Sequence, residues 1–282
     1  MDRPVQGGDK TALSNSSRLP TYALALVYFV LGAVLFIAPA WAAPRFAWNV
    51  SPLVAMTIGG WCLGNAWAAY IVARRWRFSL VLSGLVYLAL FGFLEAGVVL
   101  AFRGALKMEH WLAWLYLAAL AINLVQAIMW IAEAVAKRPA IETLGPTATR
   151  TDDVVTAIFV ILVAFLGLYG LLAPAGSRGL HGGIFPEVLT MFSLRAFGSL
   201  YLAVALGSAT LLFVRGRDTA LTHMLLSWGL ILFVTLAALA NLSIFDFNGR
   251  PGQIIYIGVY LLVGLVTANY MARDGTGARS AG

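Results

Sequence analysis

Eight stretches of this chain carry almost no charge, and each is long enough to cross a bilayer: about 21–40, 52–73, 78–101, 111–136, 153–173, 189–214, 220–242 and 254–272. A hydrocarbon core about 30 Å thick needs roughly 20 apolar residues per helix. The runs do not alternate with the two-residue period of a membrane β-barrel. The expectation is therefore an all-α integral membrane protein with eight transmembrane helices. Composition agrees: 61% of residues are hydrophobic and 11% charged, outside the range of soluble domains.

The surplus of positive charge, +7, needs a destination. With eight spans, both termini and the loops after even-numbered spans share one side. Thirteen of the 19 Lys and Arg residues fall there, among them Arg74, Arg75, Arg77, Arg215 and Arg217. The other six, including Arg45, Arg103 and Arg195, fall on the opposite side. Cytoplasmic loops carry such an excess, so both termini are expected in the cytoplasm of a bacterial inner membrane. The charges then orient helices and meet anionic headgroups. A nucleic-acid partner is not expected, because no soluble basic module mixed with aromatics is present.

A signal peptide is imitated by Arg3, Lys10 and Arg18 before an apolar run that leads into Ala40-Trp41-Ala42. The run exceeds a typical signal core, and its Ala-Pro-Ala ending recurs at 173–175. A retained helix is expected.

That recurrence is part of a longer one. LGAVLFIAPA at 31–40 returns as LGLYGLLAPA at 166–175, and TIGGWCLGNA at 57–66 aligns with AFGSLYLAVA at 196–205. Arg75 and Arg77 then match Arg215 and Arg217. The organisation expected is a cytoplasmic tail (1–20), a four-helix repeat (21–136), a cytoplasmic linker (137–152), a second four-helix repeat (153–272) and a tail (273–282). An even number of spans per unit gives both the same orientation, a parallel repeat. Pro39 and Pro174 suit helix ends, and Pro52 and Pro186 suit first turns. Gly60 and Gly64, matched by Ser199 and Ala203, form a small-xxx-small ridge for close helix approach. Trp41, Phe46 and Trp48 around Arg45 suit an interfacial segment, and Trp76, Trp111 and Trp114 suit aromatic belts.

The proline, short gap and small-residue helix SLRAFGSLYLAVALG, with WNVSPLVAMTIGGW in the first unit, resemble DoxX-like four-helix membrane proteins of bacteria. The resemblance applies to each unit separately. It implies an accessory role beside quinone-linked respiratory complexes and carries over no functional residue.

Polar groups inside the spans are where chemistry would show. A charge at a helix centre costs about 2.5–3.5 kcal/mol on insertion scales. Glu95 lies six residues before the outer end of its span, and Arg195 six residues after the outer start of its own. At about 1.5 Å per residue both lie roughly 9 Å deep. Two readings stand: a packing ion pair or snorkelling arginine, or a ligand or ion site. Asn123, Gln126, Trp130 and Glu133 share one arc of span four, which must face protein or water. Asn65 reaches similar depth. Here the alternatives are interhelical hydrogen bonds, about 0.6 kcal/mol each, or a cavity lined by Asn65, Asn123 and Gln126 with Glu133 near its cytoplasmic mouth. These polar positions do not obey the repeat: Glu95 faces Thr235, Gln126 faces Val266 and Arg195 faces Met56.

Cys62 stands alone inside a span and reads as a small hydrophobe. His110 and His223 lie at helix starts on opposite sides, and His181 lies in an outer loop, which does not suit haem or metal ligation. His181-Gly182-Gly183 only echoes an oxyanion loop, and Asp246 reads as a turn residue. No cofactor, metal or catalytic residue is expected. The leading expectation is binding or transport of a small apolar or amphipathic ligand between the repeats. The alternative is a non-catalytic subunit of a larger membrane complex. The partners expected are lipids, and either another membrane protein or a second copy of the chain.

Overall fold

The structure, a computed structural model, describes residues 13–174 and 185–277. Arg178, His181, Arg3, Lys10 and Arg279 lie outside the described residues. Eight long helices are present: α1 (Asn15–Ile37), α3 (Pro52–Arg75), α4 (Phe78–Ala101), α5 (Trp111–Lys137), α6 (Arg150–Leu172), α7 (Met191–Ala209), α8 (Arg217–Ala240) and α9 (Gly252–Gly277). A short helix, α2 (Pro39–Ala42), follows α1. Seven of the long helices are apolar enough to cross a membrane. The protein is an all-helical, multi-pass membrane protein.

The exception, α3, is long enough but less hydropathic. Gly59, Gly60, Gly64, Asn65 and two tryptophans dilute its apolar content. Its position explains why that is tolerated: most of its 24 residues are buried, so protein covers it more fully than it covers the other long helices. α3 packs along α1 and α8, and α7 packs along α6 and α4. On α1, Ser17, Thr21, Leu24, Tyr28, Leu31, Gly32 and Leu35 face inward at helical spacing, whereas Leu26, Phe29 and Val30 are exposed. An inner face that mixes leucines with small and polar residues, and an outer face of large apolar ones, suits a bundle solvated by acyl chains.

Glycines set the closest approaches. A Cβ on Gly32 would lie 2.8 Å from Leu63 N, and one on Gly59 would lie 2.7 Å from Phe36 N. On the α6–α7 pair a Cβ on Gly167 would lie 2.6 Å from Leu202 N, and one on Gly198 would lie 2.5 Å from Leu171 N. At the α3–α8 crossing, a Cβ on Gly64 would lie 2.6 Å from Leu230 Cα. These helices meet backbone to backbone.

Helix starts follow local rules. Ser51 caps α3 by accepting from Val54 N–H, and Thr190 caps α7 by accepting from Ser193 N–H. Thr149 and Asp152 form a capping box at α6. α1 begins inside the expected tail, at Asn15, and carries Pro20 near its start. Pro52 opens α3 as expected, but Pro186 lies in a bend before Thr190, so it does not occupy the first turn of α7. The threonine cap supplies that start instead.

The segment 138–149 is no free linker. Ala148 N–H donates to Arg215 O, Arg217 N–H to Pro146 O and Asp218 N–H to Leu144 O. On the other flank, Glu142 N–H donates to Ser79 Oγ, and Glu142 pairs with Arg77 at 2.6 Å. Gly145, at φ 73°, makes the turn that L-residues adopt reluctantly. The segment thus straps the α3–α4 turn to the α7–α8 turn. We call this the linker end of the bundle.

At the opposite end, residues 43–51 fold inward. Phe46, Ala47 and Trp48 are buried, and Ala47 O accepts from Lys107 N–H. This corrects the interfacial expectation for Phe46 and Trp48. Of the three aromatic residues only Trp41 is exposed, beneath the Arg45 guanidinium 4.9 Å from its ring. Trp111 and Trp114 are exposed, but Trp76 is buried and donates to the carbonyls of Leu13 and Ser14. An indole N–H satisfied by backbone explains why that ring can leave the interface.

Candidate functional site

Beneath Trp48 lies a cavity of about 20 Å³, lined by Tyr28, Trp61, Cys62, Asn65, Glu95 and Tyr116 with apolar neighbours including Ala196. That is room for about one water. Trp48 closes it from the end: its ring stacks on Phe192 at 4.0 Å, and its Nε1–H donates to Ser193 Oγ at 2.9 Å. Tyr116 packs edge-on against that ring, and Phe46 lies tilted against it at 4.5 Å.

Three buried polar atoms of the lining make no protein hydrogen bond: Glu95 Oε2, Trp61 Nε1 and Asn65 Nδ2. Their other atoms are held. Tyr116 OH donates to Glu95 Oε1 at 2.6 Å, and Tyr87 OH donates to Asn65 Oδ1. An unmade hydrogen bond in a buried place costs about 1–3 kcal/mol, so three around one small volume mark it as a receiving site. It offers two donors and one carboxyl oxygen, suited to a hydroxyl, a carbonyl or water.

Arg195 is not among the lining residues. Its guanidinium donates to Gly170 O at 2.7 Å, in the last turn of α6. There it satisfies a carbonyl that has no intrahelical partner and meets the negative end of the helix dipole. Glu95 and Arg195 form no ion pair, although the sequence suggests equal depth for them. The reason is angular: each side chain is directed to a different neighbour.

The polar stripe of α5 does face inward. Asn123, Gln126 and Trp130 are buried. Asn123 Nδ2–H donates to Tyr28 OH at 3.1 Å, which joins the stripe to the cavity through one tyrosine. Asn123 Oδ1, both amide atoms of Gln126 and Trp130 Nε1 bond to no protein group. Neither Asn123 nor Gln126 lines the cavity itself. Glu133 lies farther off, at the linker end, where it accepts from Ser14 N–H and from the hydroxyls of Ser14 and Ser17 and pairs with Lys137 at 2.8 Å. It ties α5 to the start of α1.

Sequence reasoning missed Tyr28, Trp48, Trp61, Tyr87 and Tyr116. On apolar helices such residues read as belt or core, and only inward direction with an unbonded neighbour distinguishes them. Cys62 is buried, as expected, on the cavity wall. Among the described residues no group of His, Cys, Asp and Glu is arranged to hold a metal. Asp246 forms its turn by accepting from Gly249 N–H at 2.8 Å. Comparison with protein-family models, curated proteins and solved structures found no match.

Proposed function

We propose that this is an eight-span bacterial inner-membrane protein with both termini cytoplasmic, built as two like-oriented four-helix units, that binds or carries a small amphipathic ligand. The polar tip of the ligand is received beneath Trp48 by Glu95, Asn65 and Trp61. The observation that carries this reading is the convergence of three unbonded polar atoms on one buried cavity. Ala196 of α7 completes a wall otherwise built from the first unit, so the tip sits where the units meet.

The doubled architecture is supported by spacing. The caps Ser14 and Thr149 stand 135 residues apart, and α1 and α6 end 135 apart. The caps Ser51 and Thr190, and the ends of α4 and α8, stand 139 apart. The glycine contacts repeat at the same offsets: Gly59 against Phe36 corresponds to Gly198 against Leu171. Ser79 and Thr219, equivalent at 140, touch each other, with Thr219 Oγ1 donating to Ser79 O at 3.2 Å. That contact lies where a pseudo-two-fold axis would pass. Burial of most of α3 explains how it can cross the membrane with a diluted sequence.

Native mass spectrometry of protein extracted in lipid nanodiscs tests the ligand reading. A small molecule retained by the wild type is expected to be lost from Glu95→Gln and reduced in Asn123→Leu. Unchanged occupancy in both variants sinks it. Single-cysteine labelling at the exposed position 140 of the segment 138–149, on a Cys62→Ala background, tests the topology, which requires labelling only from the cytoplasmic face.

A second reading, a non-catalytic subunit of a larger complex, draws on α6 and α9, the least covered of the seven apolar helices. Isolation only as a lone monomer after gentle extraction counts against it.

A further inference from the structure

Glu95 brings a carboxyl group into the interior of a helical bundle, and among the described residues it belongs to no ion pair. A charge at that depth has to be neutralised or carry a cost of several kcal/mol, about 2.5–3.5 on insertion scales. The groups facing it are Tyr28 from α1, Cys62 from α3 and Tyr116 from α5, none of them cationic. α7 presents Ala196, and the neighbouring Arg195 is engaged with Gly170 O. A metal cation is poorly served, because the indole N–H of Trp61 can only donate and Asn65 Nδ2 also turns a donor to the cavity. The neutraliser that fits is a proton.

Polar groups connect this place to the linker end. Tyr87 OH bonds to Asn65. One turn along α4, Ser83 is fully buried with its Oγ unbonded. Gly207 of α7 packs on both: its Cβ would lie 3.0 Å from Ser83 O and 2.8 Å from Tyr87 Cβ. The next residue, Ser208, places Oγ 3.0 Å from His223 Nε2, and His223 Nδ1 has no partner. Beside it, Thr222 Oγ1 accepts from Arg75 at 2.7 Å, and Arg75 is exposed. Ser208 and Thr222 rest with their hydroxyls donating to Val204 O and Asp218 O; hydroxyls and imidazole both donate and accept, so rotation of these hydroxyls, with a water bridging each gap, lets the row pass protons. Toward the other end the stacked rings of Trp48 and Phe192 close the way.

We infer that Glu95 is a proton-binding site, loaded from the linker end along Thr222, His223, Ser208, Ser83 and Tyr87, with the last transfer made by one water in the cavity beside Asn65. The inference rests on reading the cavity as a binding site. The proton leaves solvent at the linker end and finishes on Glu95 Oε2. Only O–H and N–H bonds are exchanged, and nothing is oxidised or reduced.

Infrared difference spectra of the protein in nanodiscs, recorded between alkaline and acidic buffer, read this directly. A carboxylic-acid carbonyl band is expected in the wild type, lost in Glu95→Gln and insensitive to sodium. Tyr116→Phe, which removes only the hydroxyl on Oε1, should keep the band and shift its frequency. After a pH jump the band should grow several-fold more slowly in Tyr87→Phe and in Ser83→Ala. A band that survives Glu95→Gln, no pH-dependent band in the wild type, or a band that follows sodium overturns the proton site. Wild-type kinetics in both pathway variants overturn the route. Ligand occupancy, measured separately by mass spectrometry, tells the two readings apart: a proton band without ligand removes only the ligand reading, and ligand without the band removes only this one.

Discussion

The close crossing of α3 and α8 makes Gly64→Ala a sharp test of how this bundle is held together. The added methyl carbon would lie 2.6 Å from Leu230 Cα, 2.9 Å from Leu230 N and 3.0 Å from Leu230 Cβ. Carbon atoms rest at about 3.5–4.0 Å, so α8 must retreat by roughly 1 Å. The obstacle is backbone and has no rotamer to change. A rigid shift also loosens contacts elsewhere along the helix pair, and overpacking of this kind typically costs about 1–3 kcal/mol; the upper part of that range is expected. Gly97→Ala is the matched control. A Cβ there meets nothing within 4 Å, and in a helix alanine exceeds glycine by about 0.5–1 kcal/mol. The same chemical change should therefore lower the thermal midpoint at position 64 and leave it equal or higher at position 97. Midpoints of both variants in one detergent, followed by circular dichroism, are the measurement. Equal midpoints for the two variants would refute the claim that backbone contact at α3–α8 sets stability.

Two further outcomes follow from the same coordinates. Trp48→Ala removes a buried ring stacked on Phe192 and bonded to Ser193; a loss of about 3–5 kcal/mol is expected, with faster thiol labelling of Cys62 as the direct sign that the cavity has opened. Thr149→Ala deletes the hydroxyl of the α6 capping box and should cost about 1 kcal/mol, read as a lowered midpoint with helicity otherwise unchanged.

Much of the helical framework was legible because each span is a local property of its own residues. Each of the eight apolar runs overlaps one long helix over most of its length, and the inward turn of Asn123, Gln126 and Trp130 followed from spacing on one helix. What depends on partners was not legible. Depth alone suggested Glu95 and Arg195 as a pair, but the direction of each side chain is set by neighbours on other helices, Tyr116 for one and α6 for the other. The aromatic segment after α1 looked interfacial because its composition is that of an interface, yet Phe46 and Trp48 find a hydrogen-bonding and stacking partner deeper in. The polar linker looked passive because nothing in its sequence names the turns it clasps. In each case the missing quantity was a distance between residues far apart in the chain.

The strap has a mechanical consequence. By bonding to both interhelical turns at once, residues 142–148 fix one end of α4 and α8 like the rivet of a pair of shears. Blades pinned there swing widest at their tips, so any opening of the bundle is largest around Trp48 and smallest beside Ser79 and Thr219.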